Sequence, residues 1–394
     1  MTLLAHVLLL ALALPAWAAC LYLLGATLLS AALPLPPDAP RQFQFDVVVP
    51  AHNEAGVIER TIASLQRIDW PRDRFRIWVV ADNCSDATAD LARAAGAHVL
   101  ERHDTQLRGK GYALLCAFKE SLAQAWAQAV VVIDADAEVS ANLLAAFAAR
   151  LALGAQAVQV HYGVRNPHAS WRTRLITMAK ASFHIVRSRA RERLGVSCGI
   201  RGNGWCVTHD LLKSVPYAAF SLTEDLQYGI DIGLAGYRVV YADEAHSDAD
   251  MVSGEQVARK QRQRWESGRF QLVRTKTLPL LGAALKRRSA VCLDLAFDLL
   301  VLPLSYVVLN VIALILAAAA LAAWQKGFYG WVWSGAACGL ILGLYVLRGW
   351  QLSGVGAQGL LDLARAPGFL IWKVVLMLKP HKSAEWVRTD RESD

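Results

Sequence analysis

The sequence is 394 residues long, 55% hydrophobic and only 19% charged, with 41 Lys and Arg against 33 Asp and Glu for a formal net charge of +8. A typical globular chain is roughly 45–50% apolar and about 25% charged, so the composition argues against intrinsic disorder and against a nucleic-acid-coating role. The apolar excess sits at the two ends, while the stretch from about residue 41 to 290 has the make-up of a soluble α/β protein.

In chain order, Thr2 to Leu33 contains no Lys, Arg, Asp or Glu. About 20 apolar residues cross a bilayer core, so this run is long enough to span one. LPAWAAC (Leu14 to Cys20) resembles a leader cleavage site, but the segment lacks a basic start and stays apolar beyond it, and it reads as a retained anchor.

The middle segment alternates β-rich and helical patterns. FDVVVPA (Phe45 to Ala51), FRIWVVAD (Phe75 to Asp82), AHVLER and AVVVIDAD (Ala129 to Asp136) read as strands, with helices between them over Val57 to Leu65, Ser85 to Ala97 and Gly111 onward. Continuous apolar strands separated by helices indicate a buried parallel sheet with right-handed crossovers, in which ligands bind beyond the carboxyl ends of the strands. Three polar clusters fall at those ends: Ala51-His52-Asn53-Glu54, Asp82 to Asp86, and Asp134-Ala135-Asp136.

A dinucleotide fold would need a glycine-rich first turn, and only Gly56 is present there; RGKGYA likewise lacks the P-loop spacing. A diphosphate bound here would need a metal and basic side chains instead. Asp134 and Asp136 alternate on an expected extended segment, so one carboxylate would ligate a cation while the other works through water or ribose. Mg²⁺ and Mn²⁺ favour such oxygens.

A second span is expected from about Leu299 to Trp324 and a third from about Tyr329 to Leu347, split by Gln325-Lys326-Gly327 into a helical hairpin. Arg41, Lys286-Arg287-Arg288 and Arg348 flank the spans on one side and Lys326 alone on the other, which puts the middle domain and the tail in the cytoplasm; the Ala-, Leu- and Arg-rich composition points to a bacterial inner membrane. Phe369 to Leu378 is too short to cross; with Arg365, Lys373, Lys379 and Lys382 around it, it reads as an interfacial helix on membrane lipid. The seven cysteines lack paired spacing, which suits a reducing compartment.

VVVPAHNEAGVIERTIASL, VVADNCSDATADLA, RGKGYAL, VVIDADAEV, TEDLQYGI and QRQRW, in this order over residues 44–270, resemble the inverting family 2 glycosyltransferases. More narrowly, they resemble the membrane-embedded branch with cellulose, chitin and hyaluronan synthases. The resemblance implies an α/β GT-A fold (nucleotide-diphospho-sugar transferase) with a mostly parallel central sheet and transmembrane helices at both ends. It implies a UDP-sugar donor, a lipid-linked or polysaccharide acceptor, and Mg²⁺ or Mn²⁺. The expected organisation is a transmembrane anchor (1–40), a cytoplasmic GT-A catalytic domain (41–253), interfacial helices with the QxxRW motif (254–290), a transmembrane hairpin (291–350), and an interfacial helix and tail (351–394).

By the same resemblance Ala51, Asn53 and Glu54 meet the nucleotide and Asp82 contacts the uracil or ribose, whereas Asp86 caps its helix. Lys110 lies over the nucleotide and phosphates, or is a solvated lysine. Asp134 and Asp136 hold the nucleotide and the cation. Asp225 is the general base, since direct displacement at the anomeric carbon needs a carboxylate on the acceptor side; Glu224 sits beside it, and both would also complement a helix dipole. Gln261, Arg264 and Trp265 share one helix face. There the guanidinium would meet the departing diphosphate and the indole the acceptor, or the segment is a basic interfacial helix with Arg259 and Arg262 toward lipid. Gly202, Asn203, Gly204 and Trp205 form an acceptor-side turn.

Departures from the family pattern are His246, Asp248 and Asp250 where a Glu and Pro are usual, with His246 read as a surface-loop histidine. No FxVTxK-like gating segment and no cyclic-dinucleotide-binding domain is recognisable. Three spans argue against a self-contained polymer channel, so single-sugar transfer to a lipid and processive synthesis both stay open. Asp294 and Asp298 sit in the membrane interface or contact an acceptor. A nucleotidyltransferase would share the sheet and metal carboxylates but would not need the TED and QxxRW motifs, and an inactive nucleotide-sugar-binding scaffold would not need the full carboxylate set.

Overall fold

The computed structural model describes residues 2–251, 255–365 and 367–368, with the side chains of 255–260 and 262 outside that description. The expected helix at Phe369 to Leu378, the tail lysines, and the side chains of Arg259, Lys260 and Arg262 therefore lie outside the described residues. The chain divides into two compact units: residues 2–31, 174–190 and those described from 297 onward form one, and residues 32–173 and 191–296 form the other.

The chain opens with α1 (Thr2–Leu28), which belongs to the first unit. The second unit begins as β1 (Phe45–Ala51), α2 (Ile58–Gln66), β2 (Phe75–Asp82), α3 (Thr88–Ala94), β3 (His98–Arg102), α4 (Lys110–Gln124) and β4 (Ala129–Val132). There follow β5 (Ala137–Val139), α5 (Leu143–Ala152), β6 (Ala157–Val164) and a long helix, α6 (Trp171–Lys180), running through a π-helical stretch (Ala181–Val186) into α7 (Arg187–Arg193), of which residues 174–190 belong to the first unit. After β7 (Trp205–Thr208), α8 (His209–Ser214), α9 (Glu224–Leu234) and β8 (Val239–Ala249) come α10 (Glu255–Arg287) and α11 (Ala290–Leu300).

The sheet order is β3-β2-β1-β4-β7-β6-β8-β5. Pairings β1–β2, β1–β4, β2–β3 and β6–β8 are parallel, and β7 and β5 are the antiparallel insertions. Parallel central strands are covered on both faces, which is why β1 and β4 are apolar along nearly their whole length. Val48, Val80, Val130, Val132, Phe118, Trp205 and Tyr228 belong to one core cluster.

The exception in β1 is Asp46, fully buried and held by Arg76 Nε at 2.8 Å, Trp78 Nε1 at 3.1 Å and Ser121 Oγ at 2.5 Å. A buried carboxylate needs that many donors.

Two sequence expectations are corrected. The fourth strand stops at Val132 rather than Asp136, because Asp134 N donates to Asn203 Oδ1 (3.0 Å) and Asp134 O accepts from Ala137 N (3.1 Å). The Asp134–Asp136 segment is thus a turn between β4 and β5, not an extended strand end. His246 lies in strand β8 rather than a surface loop, paired in register with His161 and held by Asp248 Oδ2 at 2.9 Å.

The other unit contains α1, α12 (Leu304–Ala322), α13 (Tyr329–Ser353) and α14 (Gly356–Asp362). Three helical segments, Thr2–Leu28, Leu304–Ala322 and Lys326–Ser353, are long and apolar enough to cross a membrane. The second starts later than expected because Pro303 precedes it, and the residues before that proline form α11. Ala16, Cys20, Leu23, Val311, Cys338 and Leu342 share a core, tied by Trp17 Nε1 to Ser334 Oγ (2.8 Å) and Asn310 Nδ2 to Leu12 O (3.0 Å).

Residues 174–190, expected within the 41–253 segment, pack in this unit. A Cβ on Gly349 would collide with the Ser182 hydroxyl, and Arg187 Nη1 pairs with buried Asp298 at 3.1 Å. In the sheet unit Asp294 pairs with Arg191 at 2.6 Å. Both acids expected at the membrane interface are therefore consumed in ion pairs.

Candidate active site

The site is built at the carboxyl ends of β1, β2 and β4. Where β1 ends, Asn53 adopts a left-handed φ of 57°, and where β2 ends, Asn83 adopts one of 51°; Asn tolerates this region better than most residues. Asn53 Oδ1 accepts from Ser85 N at 2.7 Å, and Asn83 Oδ1 accepts from Asp104 N at 2.8 Å. His52 Nδ1 stands 2.7 Å from Asp82 O; a carbonyl only accepts, so the ring carries its proton on Nδ1. Glu54 N donates to Thr88 Oγ1 (2.8 Å), and Ala55 N to Asp86 Oδ2 (3.2 Å).

Ala51, Asn53, Glu54 and Asp82 are thus brought together on one rim. Asp86 fixes the turn before α3, accepting from Thr88 N at 3.0 Å. Asp82 Oδ1 accepts from Arg102 Nη1 (2.6 Å) and Asn83 Nδ2 (3.0 Å). Arg102, which also reaches Asp104 at 3.0 Å, is a residue the sequence reading missed; its only signal is a cation at the end of a strand expected beside β2.

Lys110 is the hub. It opens α4 after Gly109, whose φ is 121°, and Gly111 must stay small because a Cβ there would strike the Ala219 carbonyl. Its Nζ donates to Asp134 Oδ1 at 2.5 Å and to Gly202 O at 2.7 Å, and lies 3.9 Å from Glu224 Oε1. A Cβ on Gly202 would stand 3.2 Å from Asp225 Oδ2. One ammonium therefore gathers the Asp134–Asp136 turn, the Gly202 turn and the Glu224–Asp225 pair, and the solvated-lysine alternative falls away.

The electrostatics follow from this packing. Burial works against the Lys110 ammonium, but Asp134 and Glu224 more than offset it and hold it protonated above the ordinary lysine range. Burial pushes Glu224 up to about 7 against the pull of Lys110, with Asp225 adding to the rise. Asp225 is raised too, by burial first and with Asp134 contributing. A carboxylate with a raised pKa is a stronger base than one in water.

The Gly202 turn differs from its expected role. Gly202 keeps exposed surface, but Asn203 and Gly204 are buried, and Trp205 is 1% exposed with its ring against Phe118 and Tyr228. Trp205 is a core residue rather than an acceptor contact. Asn203 acts by holding Asp134 N, and Gly204 is required where a Cβ would fall 2.6 Å from Val160 Cγ2.

On α10, Gln261 and Arg264 are half-buried and Trp265 is 37% exposed. Gly268 continues their face by one turn and touches Thr223, since a Cβ there would stand 2.6 Å from Thr223 Cγ2. That contact brings the QxxRW helix to the TED turn. Gly268 was not singled out from the sequence, although its spacing of seven from Gln261 marks it.

Among the described residues no three His, Cys, Asp or Glu side chains gather into a closed metal site. Asp134, held by Lys110, and half-buried Asp136 supply carboxylate oxygens from one turn, the donor type that suits a hard cation completed by phosphate oxygens and water.

The architecture matches known proteins. A solved mannosyltransferase from Pyrobaculum calidifontis, in complex with GDP-Man and Mn²⁺, aligns over 88% of this chain and 98% of its own, with a TM-score of 0.51 and 20% identity. The fold is GT-A. Residues 40–268 match the family described as "Glycosyltransferase like family 2", and the chain belongs to that family. A β-monoglucosyldiacylglycerol synthase of Trichormus variabilis is 28% identical over 234 residues, 57% of this chain and 48% of that protein. The UDP-forming cellulose synthase catalytic subunit of Pseudomonas fluorescens is 26% identical over 263 residues, 63% of this chain and 34% of that protein. The chain thus spans half or less of the length of these curated relatives.

Proposed function

We propose that the chain is an inverting glycosyltransferase. In this reading it moves a sugar from a UDP-sugar to an acceptor hydroxyl presented at a membrane, on a lipid or on a growing polysaccharide. The single observation that carries the reading is the Lys110 cluster, in which an ammonium joins Asp134 to the Gly202 turn and the Glu224–Asp225 pair.

Asp225 takes the proton from the attacking hydroxyl as its oxygen reaches the anomeric carbon. Its raised pKa, set by burial and neighbouring carboxylates, favours that transfer. Lys110 turns from Asp134 toward the donor phosphates and holds them by charge. Arg264 faces the departing diphosphate with a geometry suited to paired oxygens, and Trp265 offers its exposed ring to the acceptor sugar or lipid. Ala51, Asn53, Glu54 and Asp82 orient the nucleoside. A Mg²⁺ or Mn²⁺ ion on Asp134 and Asp136 would supply charge neutralisation for the leaving diphosphate.

The three apolar helices anchor the enzyme, with the sheet unit in the cytoplasm by the flanking charges. Purified protein given Mn²⁺, a panel of nucleotide-sugars and membrane lipid extract is expected to release nucleoside diphosphate. Release of pyrophosphate would instead mark a nucleotidyltransferase, and nucleotide-sugar binding without turnover would mark a scaffold.

A further inference from the structure

Gln159 lies in β6, in register with Trp205 of β7, and has no exposed surface. A buried amide has to match its donors and its acceptor within the protein. Oε1 accepts from Arg201 N at 2.8 Å, and Nε2 lies 2.7 Å from Asn203 O, 3.0 Å from Gly204 O and 2.9 Å from Val160 O. A backbone N–H at one end of the amide and carbonyls at the other fix which way round it sits.

The turn it holds is irregular, with a φ of 93° at Gly202 and 71° at Gly204. Gly204 is already tied to the sheet, because Val160 N donates to its carbonyl at 2.9 Å and its own N–H donates to Val132 O at 3.0 Å. What the Gln159 side chain adds is a hold on Arg201 and Asn203, the two neighbours of Gly202. Gly202 is where the reacting groups converge. Its carbonyl accepts from Lys110 Nζ at 2.7 Å, and a Cβ on it would stand 3.2 Å from Asp225 Oδ2. Asn203 Oδ1 in turn accepts from Asp134 N at 3.0 Å. All of these residues belong to the sheet unit.

We propose that Gln159 is a positioning residue of the transfer site. By fixing the backbone on both sides of Gly202, it sets where the Gly202 carbonyl places the Lys110 ammonium and where Asn203 places the Asp134 turn, both relative to Asp225. It acts through the turn and not on the substrate. The proposal rests on the reading of Lys110 and Asp134 as the diphosphate end of a UDP-sugar site. In that reading the nucleoside is oriented by Ala51, Asn53, Glu54 and Asp82 at the ends of β1 and β2, which Gln159 does not hold. Loosening the turn therefore costs the diphosphate end and the transfer step, and spares the nucleoside end.

The test uses the full chain in detergent with Mn²⁺. Gln159→Met keeps the volume and removes the amide, whereas Gln159→Asn keeps an amide and withdraws it from the turn by one carbon. In each, the Kd for UDP by calorimetry is expected to rise roughly tenfold or more, while the Kd for uridine by ligand-observed NMR stays within about twofold. Release of nucleoside diphosphate is expected to slow roughly 10–100-fold. If Gln159 served the core alone, the folded variants would melt earlier but keep the wild-type affinities and turnover. That result in whichever variant folds overturns the proposal, as does an equal loss of UDP and uridine binding. Lys110→Met separates the two readings. UDP affinity lost there but kept in the Gln159 variants removes the positioning role alone. UDP affinity absent from wild type, or kept in Lys110→Met, removes the reading of the site on which that role rests.

Discussion

At the scale of single residues, the proposed transfer turns on Asp225 and Lys110. Asp225→Asn keeps the shape of the turn but removes the proton acceptor, so turnover is expected to fall by about 10²–10⁴-fold while donor binding, read by calorimetry with UDP, stays within twofold. Full activity in that variant would remove Asp225 from the base role. The pair also sets a pH limb. Burial raises both carboxylates, Glu224 to about 7, so Asp225 takes up its proton, and loses its capacity to accept one, at a higher pH than an ordinary aspartate. kcat/KM is expected to fall on an acid limb that lies above the ordinary aspartate range, and Glu224→Gln to shift that limb to lower pH by removing a neighbouring negative charge.

Much of this site was legible in the sequence, because each carboxylate stands in a short motif at a strand or helix end. What was not legible is which member of a motif faces outward. Trp205 looks like a ligand contact by its place beside Gly202 to Gly204, yet a residue at the start of an inner strand is claimed by the core, and Phe118 and Tyr228 cover it. Arg102 escaped notice because its importance comes from β2–β3 pairing, which puts it opposite Asp82.

At the scale of elements, two packings position the chemistry. Gly268 lets α10 approach the TED turn, with Thr223 within van der Waals reach. Gly268→Leu forces the helices apart, at a cost of about 1–3 kcal/mol in stability. It is expected to lower kcat more than donor affinity, because it displaces Arg264 and Trp265 relative to Asp225; unchanged kcat with an unchanged melting temperature would refute that packing.

The other packing is beneath the sheet. Ser121 Oγ lies 2.5 Å from Asp46 Oδ2 and 2.9 Å from His209 Nε2. The hydroxyl has one proton and the carboxylate claims it, so neutral His209 donates from Nε2. Burial lowers the His209 pKa below that of the unfolded chain, and the sign follows. The unfolded state takes up the proton first, so the stability that this site contributes is present above about pH 6.5 and is lost as pH falls below it. Ser121→Ala strands two buried partners and is expected to cost about 1–3 kcal/mol in thermal melts. The order Asp46, Ser121, His209 cannot be inferred from three residues spread along β1, α4 and α8; only the fold assembles them.

At the scale of the molecule, length and hydropathy were enough to identify three helices able to span a membrane, but not the polar wiring inside their unit. Residues 174–190 carry basic side chains and look soluble, yet Arg187 is buried with Asp298 and Tyr345, whose hydroxyl lies 3.1 Å from Arg187 Nε. Removing one partner from a buried pair leaves an uncompensated charge, so Asp298→Ala is expected to cost about 3–5 kcal/mol and to abolish a monodisperse peak in detergent gel filtration. The double replacement Arg187→Met with Asp298→Leu should recover it.

The proposed transfer displaces the nucleotide directly, with Asp225 as the base. The most direct test is the anomeric configuration of the product formed from an α-linked UDP-sugar, read from the anomeric proton coupling by NMR. A β-linked product is predicted for this single displacement, and an α-linked product would contradict it.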